Sequence, residues 1–343
     1  MRKSIYNPIQ LTATVLLLFI LQPAKAQRIQ ELPGKEGISF RGLSVVNDRL
    51  LWVSGNKGTV GRSSDGGKSF QWMTVKGHEQ RDFRDIEAFD AVTAVILAVD
   101  SPGLILRTFD GGESWQEVYR DNRSGIFLDA LHFRNKNEGM AVGDPIDGKM
   151  VLLRTADGGR SWQPYTNTYP APMEGEAFFA ASGGNIVTLK KAETIFVSGG
   201  KQSRVFYAGQ AFELPLKQGE TSTGANAIAL KHPNRKGGGR HWVIVGGDFA
   251  KDKEQEGNFC FTRDGGASWQ QAVTSPLGYR SGISYVRGNQ LIACGTSGVD
   301  WSRDGGRTWS LISPVGYHVV QKAKDGRAVY LAGGNGRIGK LIR

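Results

Sequence analysis

Apolar residues in this chain fall in short runs, at residues 50–54, 94–99, 104–107, 194–197 and 204–207 among others. Turn-forming residues follow each of them, and runs of that length and setting read as β-strands. No helical period of useful length is visible beyond the first 26 residues. The 47 glycines suit a chain that turns about every eight to twelve residues. The pattern therefore predicts an all-β protein.

The runs are organised by a turn that is written five times: Ser/Thr, any residue, Asp-Gly-Gly, any residue, Ser/Thr, aromatic. Its aspartates are Asp65, Asp110, Asp157, Asp264 and Asp304, at steps of 45, 47, 107 and 40 residues. Glycine accepts a positive φ without penalty, so Asp-Gly between strands is a tight turn whose carboxylate can accept amide hydrogen bonds. The step of 107 spans two units, and in the missing copy the turn has become Ala208-Gly209-Gln210-Ala211. Repeats of this period indicate solenoids, propellers or arrays.

Aligned on these turns, each unit opens with an aromatic residue, often followed by Arg, and continues through four strands. Units one to six begin near Phe40, Phe83, Phe127, Glu176, Gly224 and Tyr279. Unit five carries two insertions, a basic one at 231–240 and a mixed-charge one at 251–257, and unit three a longer turn at 143–149. The opening Pro276-Leu277-Gly278-Tyr279-Arg280 is echoed by Pro314-Val315-Gly316-Tyr317-His318, which starts a seventh unit with only three strands. The missing strand is predicted at the other end of the chain, where Ile29-Gln30-Glu31-Leu32 matches the fourth-strand sequence Trp115-Gln116-Glu117-Val118. An open blade edge invites mispairing, and a closed ring removes it. The expected fold is a seven-bladed β-propeller of four-stranded antiparallel blades, one domain over residues 27–343, its last blade closed by the N-terminal strand.

Residues 1–26 read as a signal peptide: Arg2 and Lys3, an apolar run at 11–21 too short to span a bilayer, and Ala24-Lys25-Ala26 as the cleavage site. An uncleaved anchor is the other reading. The mature protein is thus expected to be exported, periplasmic or extracellular. That segment holds three of the 43 basic residues and none of the 32 acidic ones, leaving 40 against 32, an excess of +8. The charges are scattered through many loops, which suits ordinary solubility, and no nucleic-acid motif is present. Cys260 and Cys294 lie inside strand-like runs; two buried free thiols are expected, with one bridge as the alternative. Nothing suggests a cofactor. Calcium at the Asp turns would need several oxygen ligands per site where each turn offers one carboxylate, so these aspartates read as structural and no metal is expected.

These turns resemble Asp-box (BNR) repeats. Over about residues 28–343 the chain resembles the photosystem II stability/assembly-factor-like propellers of the broader sialidase-like superfamily. The resemblance implies Asp boxes at the blade periphery, joining third and fourth strands, and a binding face on the other side of the ring. It also implies an arginine patch for partner binding.

On that other face, Arg41, Arg84, Arg280 and His318 occupy what read as equivalent opening positions, with Glu176 and Asp129 near the same level. Arginine suits carboxylate or phosphate capture through its fork, although each could instead pair with a neighbouring blade's aspartate or carbonyl. The expected function is non-enzymatic: a monomer whose arginine-lined face, rimmed by the insertions of units three and five, docks an acidic or carboxylate-bearing segment of an exported or membrane protein, or a glycan. The alternative is a sialidase-like hydrolase, in which Arg41, Arg84 and Arg280 imitate the carboxylate-binding triad. Asp85 or Asp129 would then be the acid, with Tyr317 and Glu174 or Glu176 as the nucleophile pair.

Overall fold

The computed structural model describes residues 27–166, 169–189, 193–236 and 239–343, and the proposed signal peptide lies outside the described residues. Seven antiparallel sheets follow one another around an axis. Blade one is Phe40–Val45, Leu51–Gly55, Thr59–Ser63 and Gln71–Thr74. Blade two is Phe83–Ala88, Ala94–Ala98, Gly103–Thr108 and Gln116–Asp121. Blade three begins at Leu128–Phe133, blade four at Ile186–Thr188, blade five at Thr223–Leu230, blade six at Gly282–Arg287 and blade seven at Val319–Lys322. Arg28–Leu32 pairs antiparallel with Ile338–Ile342 and supplies the fourth strand of blade seven, as the sequence predicts.

Burial runs outward along each sheet. The first strand of blade one is nearly all buried and its fourth is exposed or half-exposed. Apolar side chains fill the space between neighbouring blades: Trp52 and Val60 of blade one meet Phe83, Ile86, Ile96 and Leu106 of blade two. Each such aliphatic or aromatic side chain contributes about 1.5–3 kcal/mol when fully buried. The innermost strands are also joined by polar staples, because their axis-facing amides lack a partner strand. Ser44 accepts from the Ala88 amide, Asp85 from Leu131 and His132 from Thr188, at 2.9, 2.7 and 3.0 Å. Burial pushes the Asp85 carboxyl up to about 7, against the pull of its two backbone hydrogen bonds.

The five Asp-Gly-Gly turns share one geometry, and Asp157 illustrates it. Its Oδ1 accepts from the Ser161 amide at 3.1 Å and from the Thr155 hydroxyl at 2.8 Å, and its Oδ2 accepts from the Ser161 hydroxyl at 2.7 Å. Both glycines of every copy have φ between 76° and 92°, which is why the motif needs two of them. The first glycine then donates to a carbonyl in the loop joining the first two strands of its own blade. The acceptors are Arg49, Val92, Asn137, Arg240 and Asn289, at 2.8–3.0 Å. The turn is a clasp that ties two loops of one face together. In blade four, Ala208 and Gly209 take positive φ in a two-residue hairpin between Tyr207 and Gln210, in place of the Asp-Gly-Gly turn.

This connectivity sorts the insertions. Loops joining strands two and three lie opposite the Asp turns, as expected for the insertions at 143–149 and 251–257. The basic insertion at 231–240 joins the first two strands of blade five, so it belongs to the Asp-turn face, contrary to the expectation that it rims the arginine face. Cys260 and Cys294 are buried free thiols.

Candidate axial binding site

A cavity of about 430 Å³ opens on the face away from the Asp turns and is lined from all seven blades. Its polar side chains come largely from one structural position. In blades one, two, three and five the first strand carries a bulge, and the extra residues are Arg41, Arg84, Asp129 and Asn226. A bulge re-aims its side chain while the flanking residues keep their pairing. In blades six and seven the same position is found from a repeated interblade bond. Phe40 donates its amide to Gly333 O, Arg280 to Gly246 O and Tyr317 to Gly295 O, at 3.1, 3.0 and 3.0 Å. The residues that follow these three are Arg41, Ser281 and His318.

That register corrects one expected site residue. Arg280 is equivalent to Phe40, not to Arg41, and its side chain runs into the sheet. It is fully buried, with Nε 2.6 Å from Asp300 Oδ2 and Nη1 on Tyr279 O and Ser297 Oγ at 2.8 and 2.9 Å. Burial pushes the Asp300 carboxyl up, with Arg280 pulling against it. Glu176 is likewise withdrawn: Arg204 holds it at 2.5–2.9 Å, and Ser198 and the Met173 amide occupy its remaining lone pairs. The expected sialidase-like set is therefore not assembled, since Arg280 and Glu176 are buried in separate ion pairs and Tyr317 lies in the core of blades six and seven.

Arg41, Arg84 and His318 do reach the cavity. Arg41 donates to Ala181 O at 3.4 Å, and burial together with the nearby Arg84 holds its guanidinium below the usual value. Arg84 is paired with Asp82 at 2.8 Å and lies over the Phe127 ring, with its guanidinium carbon 5.8 Å from the centroid. His318 is pushed down to about 3, first by burial and then by Arg41, Arg337 and Arg84, so it is a neutral imidazole at pH 7. Beneath them Asp129 is buried, with no hydrogen-bond partner of good geometry for either oxygen. Burial and the facing Asp144 raise it far above the carboxylate range, with Arg84 opposing. Asp144 itself is pushed up to about 6 by burial, although it accepts from the Phe178 amide at 2.7 Å.

The floor of the cavity was not foreseen. The segment ahead of blade four carries Phe178, Phe179, Ala180 and Ala181 into the cavity lining. It meets blade one through Ala181 O, blade six through Ser182 Oγ to Ser281 O at 2.6 Å, and blade five through the Ile228 amide to Gly184 O at 2.8 Å. A segment of blade four that touches blades one, five and six crosses the axis and closes it. Gly183 permits the crossing, because at φ +66° a Cβ would sit 2.3 Å from the Asp85 carboxylate. The rim adds Phe249, edge-on to Phe179 at 5.6 Å, and Tyr279, whose hydroxyl donates to Asn226 Oδ1 at 2.7 Å. The sequence signal was one of length. Twenty-one residues, 165–185, separate the last strand of blade three from the first of blade four, against eight, 75–82, between blades one and two.

No family model and no curated protein matches the chain. Solved structures do match in fold. A structure titled "YCF48 bound to D1 peptide" superposes with a TM-score of 0.64 at 17% identity, over 94% of this chain and 98% of the other. YCF48 from Cyanidioschyzon merolae gives 0.63 at 16% identity, over 92% and 98%. The GH74 enzyme of Niastella koreensis gives 0.58 at 13% identity, over 91% of this chain and 53% of the enzyme, so the chain spans about half of that protein. In fold, this protein is a seven-bladed propeller similar to the YCF48 photosystem II assembly factors.

Proposed function

We propose that this protein is an exported, monomeric, non-catalytic propeller that binds a peptide segment of another exported or membrane protein in its axial cavity, with a carboxylate of that segment between Arg41 and Arg84. The observation that carries the reading is the convergence of two guanidinium groups on one cavity whose other walls are aromatic. Arg84 lies close enough to Arg41 to lower its proton affinity, a repulsion that a bound anion relieves, and arginine forks match a carboxylate in two parallel bonds. Phe127, Phe179, Phe249 and Tyr279 offer apolar surface to neighbouring side chains of the bound segment, and the neutral His318 adds a hydrogen-bonding group without charge. The YCF48 structure that carries a D1 peptide supports a peptide as ligand for this type of ring.

A panel of labelled peptides with free or amidated C-termini, and with or without acidic side chains, tests the reading by fluorescence anisotropy. Free carboxylates should bind, and Arg41→Ala/Arg84→Ala should lose that binding while unfolding as the parent does. Equal binding of amidated neutral peptides, or retention of binding in the double variant, would sink it. Glycan hydrolysis that is lost on Asp144→Asn would replace it with the hydrolase reading, which Asp144 in the cavity wall, its carboxyl pushed up to about 6 by burial, keeps testable.

A further inference from the structure

The Asp-turn face carries two clefts, one on each side of blade six. The first, about 170 Å³, lies between blades five and six and is lined by Lys231, His241 and Arg263 with Tyr285 and Asn289. The second, about 560 Å³, lies between blades six and seven and is lined by Arg287, Lys322, Arg327 and Arg343. The tight turn that joins the first two strands of blade six, between Arg287 and Gln290, stands between them. Asn289 of that turn faces the first cleft, and Arg287 and Gln290 face the second.

The cations of these clefts are positioned but not neutralised. Lys231 Nζ is 2.7 Å from Asn289 Oδ1, Lys322 Nζ is 2.8 Å from Gly326 O, and Arg343 Nη2 is 2.8 Å from Arg327 O. Among the described residues, no ion pair joins Lys231, Arg263, Arg287, Lys322, Arg327 or Arg343 to a carboxylate. One acid, Asp304, lines the first cleft, and its oxygens are occupied by Thr308 and Ser302 within the turn. Asp48 interacts with Lys322 and Lys340 from outside the second cleft. Arg240 and His232 crowd His241 along with Lys231 and Arg263, so the positive field extends beyond the lining residues. Clefts lined by one sign of charge between low-dielectric walls focus that field and concentrate counter-ions.

We propose that the two clefts together bind a flexible, linear polyanion with phosphate groups repeated along its chain, one stretch seated in each cleft across the turn of blade six. The second cleft sets four cationic side chains against no lining acidic side chain, more positive charge than one carboxylate group balances. Arginine forks and lysine ammonium groups both serve phosphate oxygens. A flat bilayer meets the ridge between the clefts before it meets their lining, whereas a flexible chain follows both. This surface is on the face opposite the axial cavity and is independent of the peptide reading.

The test is calorimetric titration of the intact protein with short-chain inorganic polyphosphate, over a series of salt concentrations. Binding should weaken steeply as salt rises, through counter-ion release. Arg287→Ala/Arg327→Ala, two exposed positions, should weaken it about tenfold or more, and Arg263→Ala by a smaller factor. Lys68→Ala/Lys76→Ala removes the same charge from exposed positions of blade one and should leave binding within about twofold. Equal losses in the two double variants, absence of binding at low salt, or preference for vesicles of anionic phospholipid over the soluble polymer would each overturn the proposal.

Discussion

Blades one and two open with Phe-Arg and blade six with Tyr-Arg, yet the arginines end in opposite environments. Arg41 and Arg84 reach the axial cavity, whereas Arg280 is fully buried against Asp300. The difference is one residue of register. In blades one and two the arginine is the bulged residue, released from the pleat; in blade six it takes the place of Phe40, and Ser281 takes the place of Arg41. Strand side chains alternate between faces, so a slip of one residue exchanges a solvent-facing role for a buried one. The same two-residue pattern, an aromatic followed by Arg, therefore encodes a recognition group in one place and an internal ion pair in another.

The sharpest way to break this comparison is to remove the buried partner. Arg280→Ala leaves the Asp300 carboxylate buried and uncompensated, and should cost about 3–5 kcal/mol in denaturant unfolding. Replacing both partners, as Arg280→Met/Asp300→Leu, should recover most of that loss. Arg41→Ala/Arg84→Ala should behave in the opposite way. The Arg84–Asp82 pair is partly exposed, so stability should change by less than about 1 kcal/mol, while carboxylate-peptide affinity falls at least about tenfold. A stability loss in the double variant as large as that of Arg280→Ala would erase the distinction.

Two smaller effects sharpen it. Asp157→Ala removes four hydrogen bonds from one clasp and should cost about 1–2 kcal/mol without touching peptide binding, because the clasp lies on the other face. Its carboxylate is held down at about 2, the hydrogen bonds from Ser161 and Thr155 outweighing burial. The stability it gives is present above the unfolded value near 3.9 and is lost as pH falls toward 2. His318 is also depressed in the folded state, to about 3. Its contribution is present above the unfolded value near 6.5 and declines as pH falls from there toward 3. Unfolding of His318→Gln and the parent at pH 7 and pH 4.5 should show a smaller pH loss in the variant; equal losses would remove His318 from the charged environment of Arg41 and Arg84.

The architecture was legible in the sequence because its signals are local and repeated. Five Asp-Gly-Gly turns mark the blade joints, and the likeness of Ile29-Gln30-Glu31-Leu32 to a fourth strand located the closure. The site was legible only in part. Arg41, Arg84 and His318 were found from their positions in the repeat, but a bulge leaves no reliable mark in composition, so Arg280 was aligned one residue out. Glu176 was hidden by its partner, since nothing local announces that Arg204 folds back onto it. The axial segment around Phe178–Gly184 was visible as surplus length, while its path across the ring depends on contacts with blades one, five and six that no single stretch encodes.

The pairing of Arg28–Leu32 with Ile338–Ile342 sets a timetable for the whole molecule. The first strand to be made is among the last to find its partner, and joining ends so far apart costs about 5 kcal/mol of chain entropy. Until the final strand is available, blade seven has an unpaired border and the other blades form an arc without tension across it.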